Sequence, residues 1–300
     1  MKKILTLIMI ACIANIYAID KKAGEYGFQF MKLPSVTSVA GMGGTGEMLQ
    51  SSPLNFLHHP AAFDWQRGKS VAFTNTLWLV ETNIYSLAYR TISFNNGFGF
   101  GIKYMDMGKF EKRTDNGTLI GSYYPLDVDF VFNYVHKLSP DIHAGANIHL
   151  VYEKIDTSSA TGFYLDLGTA YLTPLANTTL DLAVKNIGFG SKMDQENVDA
   201  TLSCEFGLTT GIILSEEFEI YPATKLIYYN DHDDIIPAIG IDLKILNILS
   251  IRTGYKFNYN CEDFSAGFGV TYKNFTIDYS YLNFTENLDK VNIFGIGYKF

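Results

Sequence analysis

Residues 291–300 read Val-Asn-Ile-Phe-Gly-Ile-Gly-Tyr-Lys-Phe. In an extended chain Phe294, Ile296, Tyr298 and Phe300 share one face, while Gly295, Gly297 and Lys299 share the other. Strict alternation with a period of two is the signature of a strand with one apolar and one polar or small side. The same pattern recurs upstream. Phe275, Ile277, Tyr279 and Tyr281 oppose Thr276, Asp278 and Ser280, and Phe98, Phe100, Ile102 and Tyr104 oppose Gly99, Gly101 and Lys103. From about Ser70 onward it yields fourteen segments, near 70–77, 83–92, 97–105, 125–136, 142–155, 161–172, 178–187, 201–214, 218–229, 235–245, 248–257, 264–272, 275–284 and 291–300. Several reach the roughly 9–11 residues that a tilted membrane strand needs.

The connections are sorted. After the second strand every other one is short, at 93–96, 138–141, 173–177, 215–217, 245–247 and 273–274. Those between are mostly longer and more polar, at 106–124, 188–200, 230–234, 258–263 and 285–290. Short turns at one end and long loops at the other is the arrangement of outer-membrane barrels, and a soluble sandwich has no reason to adopt it. In lipid every backbone polar group must be paired within the protein, so such a sheet must close. The apolar face then points to hydrocarbon. The opposite face carries Lys103, Asp129, Asn133, Asn147, His149, Asp166, Lys185, Asp242, Lys244, Arg252, Lys256 and Asp278, a mixed-charge lining with many glycines that suits an occupied lumen.

Composition agrees. The 300 residues are 47% hydrophobic and 15% aromatic, with 22 Phe, 20 Tyr and 26 Gly, and only 18% charged. No run beyond the N-terminus approaches the ~20 apolar residues of a membrane-spanning helix. A net charge of −8 supplies no basic surface for nucleic acid. Lys2 and Lys3 followed by an apolar stretch at 4–13 and Ala18 read as a secretory signal peptide over 1–18. A lipoprotein signal around Cys12 and a short anchor are the alternatives. Export leaves Cys204 and Cys261 either paired or as two thiols. Residues 19–69 do not alternate and contain Gly41-Met42-Gly43-Gly44-Thr45-Gly46; they are expected to fold into the lumen as a plug, the alternative being a periplasmic extension.

The expected fold is therefore all-β, a 14-stranded antiparallel transmembrane β-barrel with an N-terminal plug or hatch segment: signal peptide 1–18, plug 19–69, barrel 70–300. The expected location is the bacterial outer membrane, with its lipids as partners. A terminal aromatic on the lipid face is what barrel-assembly machinery commonly recognises, which assigns Phe294, Ile296, Tyr298 and Phe300 as an assembly signal.

Catalytic chemistry has no foothold. Residues 41–46 lack the Lys-Ser/Thr of a phosphate loop, and no serine sits in a nucleophile elbow. His58 and His59 would point apart in an extended chain. Asn230-Asp231-His232-Asp233-Asp234 lacks the spacing of a known calcium loop and reads as a solvated turn. No enzyme activity and no cofactor or metal are expected. The inward Lys103, Asp166, Lys185, Asp242, Arg252 and Lys256 are candidates for neutralising pairs across the lumen or for ligands of a cargo head group.

Three stretches resemble the PorV/PorQ branch of the FadL-like outer-membrane barrels. The first is Phe28-Gln29-Phe30-Met31-Lys32-Leu33-Pro34 running into Ala40-Gly41-Met42-Gly43-Gly44. The second is Pro60-Ala61, similar to an Asn-Pro-Ala motif with His59 in place of the Asn. The third runs from Gly108-Lys109-Phe110 through Tyr152-Glu153-Lys154 to Leu165-Asp166-Leu167-Gly168 and Lys185-Asn186-Ile187-Gly188. The resemblance implies fourteen strands, a hatch built around Gly43, Gly44, His59, Pro60 and Ala61, and a role in type IX protein secretion, docking or tethering exported cargo. The alternative is a FadL-like transporter of hydrophobic small molecules.

Overall fold

The computed structural model describes residues 24–49, 52–62, 68–175, 177–232, 234–259, 262–285 and 288–300. The signal-peptide assignment, Cys12, Asp233 and Cys261 lie outside the described residues, so the Cys204–Cys261 question is not posed there; Cys204 is an exposed thiol.

Fourteen strands form the barrel: β1 Gly68–Leu77, β2 Asn83–Ser93, β3 Asn96–Asp106, β4 Leu126–Lys137, β5 Ile142–Ile155, β6 Ser158–Leu172, β7 Thr178–Gly190, β8 Ser203–Thr210 continued by Ile212–Ile213, β9 Phe218–Tyr229, β10 Ile236–Ile245, β11 Leu249–Lys256, β12 Glu262–Tyr272, β13 Phe275–Phe284 and β14 Val291–Lys299. Each pairs antiparallel with the next. The seam is β1 on β14, in register from Ser70↔Lys299 to Leu77↔Asn292. Closure leaves no strand edge to be desolvated in lipid.

The outward side chains are those that alternation assigns to hydrocarbon. Phe100, Leu150 and Ile277 are 53%, 55% and 58% exposed, whereas Ile84, Val131 and Asn133 on the inner face are at 0%. An apolar belt running around the whole wall is not tolerated by a monomeric protein in water. Aromatic ladders cross the outer surface near both rims: Phe73–Tyr85–Tyr104, with centroids 6.3 and 6.2 Å apart, and Phe275–Tyr298–Phe300, at 4.6 and 4.9 Å. Rings at this height suit the headgroup layer. Phe294, Ile296, Tyr298 and Phe300 lie on this outward side, opposite Gly295 and Gly297.

The register shifts between Glu262 and Ser265 on β12, and two other features depart from simple alternation. Lys185 and Asn186 together face Asp166, because the register between β6 and β7 slips at Leu165/Leu167. Asn186 takes φ +63° and its N–H donates to Asp166 Oδ1 at 2.8 Å. This is a bulge, one extra residue that returns Ile187 to the outer face. The second departure is in the long loop 106–124, which contains a hairpin pairing Phe110–Arg113 with Leu119–Tyr123. Gly117 at φ +81° makes its turn, Phe110 packs on Tyr123 at 5.7 Å, and Lys112 pairs with Asp156.

A charge on the outer belt should be costly. Phe132→Arg, in the middle of β4, is expected to lower stability by about 2–4 kcal/mol, while Leu119→Arg on the loop hairpin leaves it unchanged; urea unfolding in lipid vesicles measures both.

Candidate functional site

Described parts of the N-terminal segment pack against the inner face of the wall. Residues 24–62 have little regular structure: a 3-10 turn at Gln29–Lys32, one helical turn at Thr37–Ala40 and a 3-10 turn at Pro53–Leu57 capped by Ser52. Irregular backbone inside a barrel needs hydrogen-bond partners from the wall, and inward side chains supply them. Lys103 Nζ donates to Leu33 O (2.6 Å), Thr74 Oγ1 to Ser35 O (3.0 Å), Ser280 Oγ to Thr37 O (2.6 Å), Asn147 Nδ2 to Phe56 O (2.8 Å) and Asn133 Nδ2 to Pro60 O (2.9 Å). Arg90, fully buried, donates to Ala62 O. These donors stand on β1, β2, β3, β4, β5 and β13, so the segment is tied to strands far around the circumference.

The five hatch residues make distinct contacts. Gly43, at φ +68°, donates its N–H to Ser265 Oγ (2.8 Å), and a Cβ there would lie 2.9 Å from Tyr255 N. Gly44, at φ +81°, lies against Lys256. The wall yields in turn: a Cβ on Gly145 would come within 2.1 Å of Pro60 O, and one on Gly254 within 2.1 Å of Met42 C. His59 Nδ1 accepts from Ala61 N–H at 3.1 Å, so Nε2 carries the proton and donates to Leu182 O at 3.1 Å. Burial holds this imidazole neutral, with its pKa down at about 4. His58 accepts from Ser35 N–H instead. Among the described residues no cluster could hold a metal ion.

The charged candidates are brought into pairs. Asp242 and Arg252, opposite in register between β10 and β11, meet at 3.1 Å, and Arg252 also holds Asp278 at 2.6 Å. Asp166 pairs with His149 (2.9 Å), whose other nitrogen holds Asp129 at 2.9 Å. Lys185 pairs with Glu205 (3.2 Å), Lys225 with Glu205 (2.6 Å) and Glu47, and Lys256 with Glu262 (2.8 Å). Sequence reasoning passed over Glu205 and Lys225, although both sit on inward phases of β8 and β9. Nothing flagged Glu47, because its segment has no period.

A cavity of about 230 Å³ lies on the loop side of the segment. Leu33 and Leu57 of the segment, Trp78 and Leu79 after β1, Phe284 at the end of β13 and Leu288 beyond it form the apolar part of its lining. Lys185, Glu205, Lys225, Lys256 and Glu262 form the charged part. Trp78 meets Phe284 edge-on at 5.3 Å. On the turn side a separate polar vestibule of about 680 Å³ is bordered by Thr37, Ser38, Pro53 and Leu54 of the same segment. Between the two, Val36, Val39, Leu54 and Phe56 pack on Ala72, Ala88 and Val131 of the wall in one buried cluster.

Lys225 is the hub of the buried charges. Lys225→Met removes the shared partner of Glu47 and Glu205 and is expected to cost about 3–5 kcal/mol. The companion change Glu47→Gln should restore part of that loss; urea unfolding of both variants provides the check.

No family model and no curated protein matches the sequence. The fold has many solved counterparts among bacterial outer-membrane barrels. The Pseudomonas putida toluene transporter TodX superposes with a TM-score of 0.66 at 13% identity, covering 91% of this chain and 99% of that one. The CymD monoaromatic hydrocarbon channel gives 0.63 at 13% identity, covering 89% and 97%. A Pseudomonas aeruginosa FadL homologue gives 0.57 at 11% identity, covering 89% and 98%. At these identities the likeness is one of fold: a closed fourteen-stranded barrel of the outer-membrane type.

Proposed function

We propose that the protein is an outer-membrane channel that captures small hydrophobic molecules on the loop side and passes them inward. The observation that carries this is the cavity of about 230 Å³ with its apolar lining of Trp78, Leu79, Phe284 and Leu288. An apolar cavity of about 150 Å³ is enough to hold benzene, so this one suits a single ring and falls well short of a long acyl chain. The described substrates of TodX and CymD, toluene and monoaromatic hydrocarbons, are of that size. In this reading residues 24–62 act as the plug that keeps the cavity and the vestibule apart, and a ligand crosses when that segment shifts. The outward face of β14 is the part that assembly machinery would engage during insertion.

The secretion role implied by the PorV/PorQ resemblance finds no support in the fold comparisons, which favour uptake. Uptake of radiolabelled toluene by cells producing the protein tests the proposal. Leu57→Trp and Leu79→Trp, which fill the cavity, should each abolish the protein-dependent part of uptake. Unchanged uptake in both variants, with secreted proteins sharing a C-terminal sorting domain co-purifying, would overturn it in favour of secretion.

A further inference from the structure

The cavity lining is both apolar and charged, and its charged groups hold one another. Lys185 and Lys225 share Glu205, Lys225 also holds Glu47, and Lys256 holds Glu262. Lys32 at the rim holds Asp231 at 2.6 Å. Each of these four ammonium groups thus has a carboxylate partner. An ion entering this space would lose part of its water and meet charges that already hold partners, which is costly. A plain hydrocarbon would leave the polar side unused. An ammonium group carries three N–H donors, yet Lys185 and Lys256 each give one bond to a carboxylate. Both line the cavity, where their remaining donors can meet a neutral acceptor.

The geometry points to a ligand that is uncharged, of single-ring size, and bears one hydrogen-bond-accepting oxygen turned toward Lys185 and Lys256: a cyclic ketone, alcohol or phenol. This rests on the uptake reading and narrows it. The ring lies against Trp78 and Phe284, and the oxygen accepts from the lysines without breaking any pair. Such a site rejects carboxylates and amines by desolvation, and it ranks hydrocarbons lower because they leave the donors unmatched.

Four ring-matched probes test this: methylcyclohexane, cyclohexanone, cyclohexanecarboxylate and cyclohexylammonium. The chain has two tryptophans, so in a Trp65→Phe background the fluorescence of Trp78 reports the cavity alone. Cyclohexanone should bind about tenfold more tightly than methylcyclohexane, the value of one hydrogen bond to a charged donor. The two ions should bind more weakly than either. Glu262→Gln, which leaves Lys256 unpaired, should raise cyclohexanecarboxylate affinity about tenfold. Lys256→Met combined with Glu262→Gln keeps the charge balance and should erase part of the preference for the ketone over the hydrocarbon. Equal binding of ketone and hydrocarbon in the parent protein, or tighter binding of either ion, would overturn this inference and leave uptake standing. Failure of all four probes to alter Trp78 would overturn uptake as well.

Discussion

Lipid offers no partner to a peptide group, and that single constraint organises this molecule. The sheet cannot end within the membrane, so β1 must meet β14, and the register from Ser70↔Lys299 to Leu77↔Asn292 closes it. A closed sheet divides each strand into a face for hydrocarbon and a face for the interior. The alternation of Phe, Leu and Ile with Gly, Ser and charged residues follows from that division.

The interior then poses the opposite problem. A wall lined with Lys, Arg, Asp and Glu, and shut off from bulk water, has to be neutralised in place. Here it is neutralised by pairing, as in Asp242–Arg252–Asp278 and Asp129–His149–Asp166, and by an irregular segment that brings its own carbonyls and Glu47. Glycines on the wall, Gly145 and Gly254 among them, let that segment approach backbone to backbone. The volume left over lies in two places, a polar vestibule on the turn side and the cavity on the loop side, where side chains from β7 to β12 contribute charge and Trp78, Leu79, Phe284 and Leu288 contribute apolar surface.

Strands were legible because a period of two persists in any half-buried sheet, and β5, β9 and β13 run from first to last residue as their alternation predicts. The bulge at Lys185–Asn186 was not, since one extra residue is invisible until the partner strand fixes the register. Alternation found that Asp166 and Lys185 point inward but not whom they meet. Partners on diagonal or distant strands depend on the shear of the barrel, which no single segment encodes. The apolar side of the cavity was hidden for a related reason. Trp78 and Leu79 follow the end of β1 and look like the start of any loop; only their packing against Phe284 turns them inward.

The seam also has a bearing on how the protein is built. Glu47 precedes every strand in the chain, yet its partner Lys225 stands on β9 and its neighbour Met42 abuts Gly254 on β11. Contacts of such long sequence separation form late and slowly. The segment is made first, yet its contacts are complete only when strands from the second half of the barrel are in place. Once β14 has zipped onto β1, only the two rims of the barrel admit it. Docking of the segment therefore depends on a wall in which β9 and β11 already hold their places.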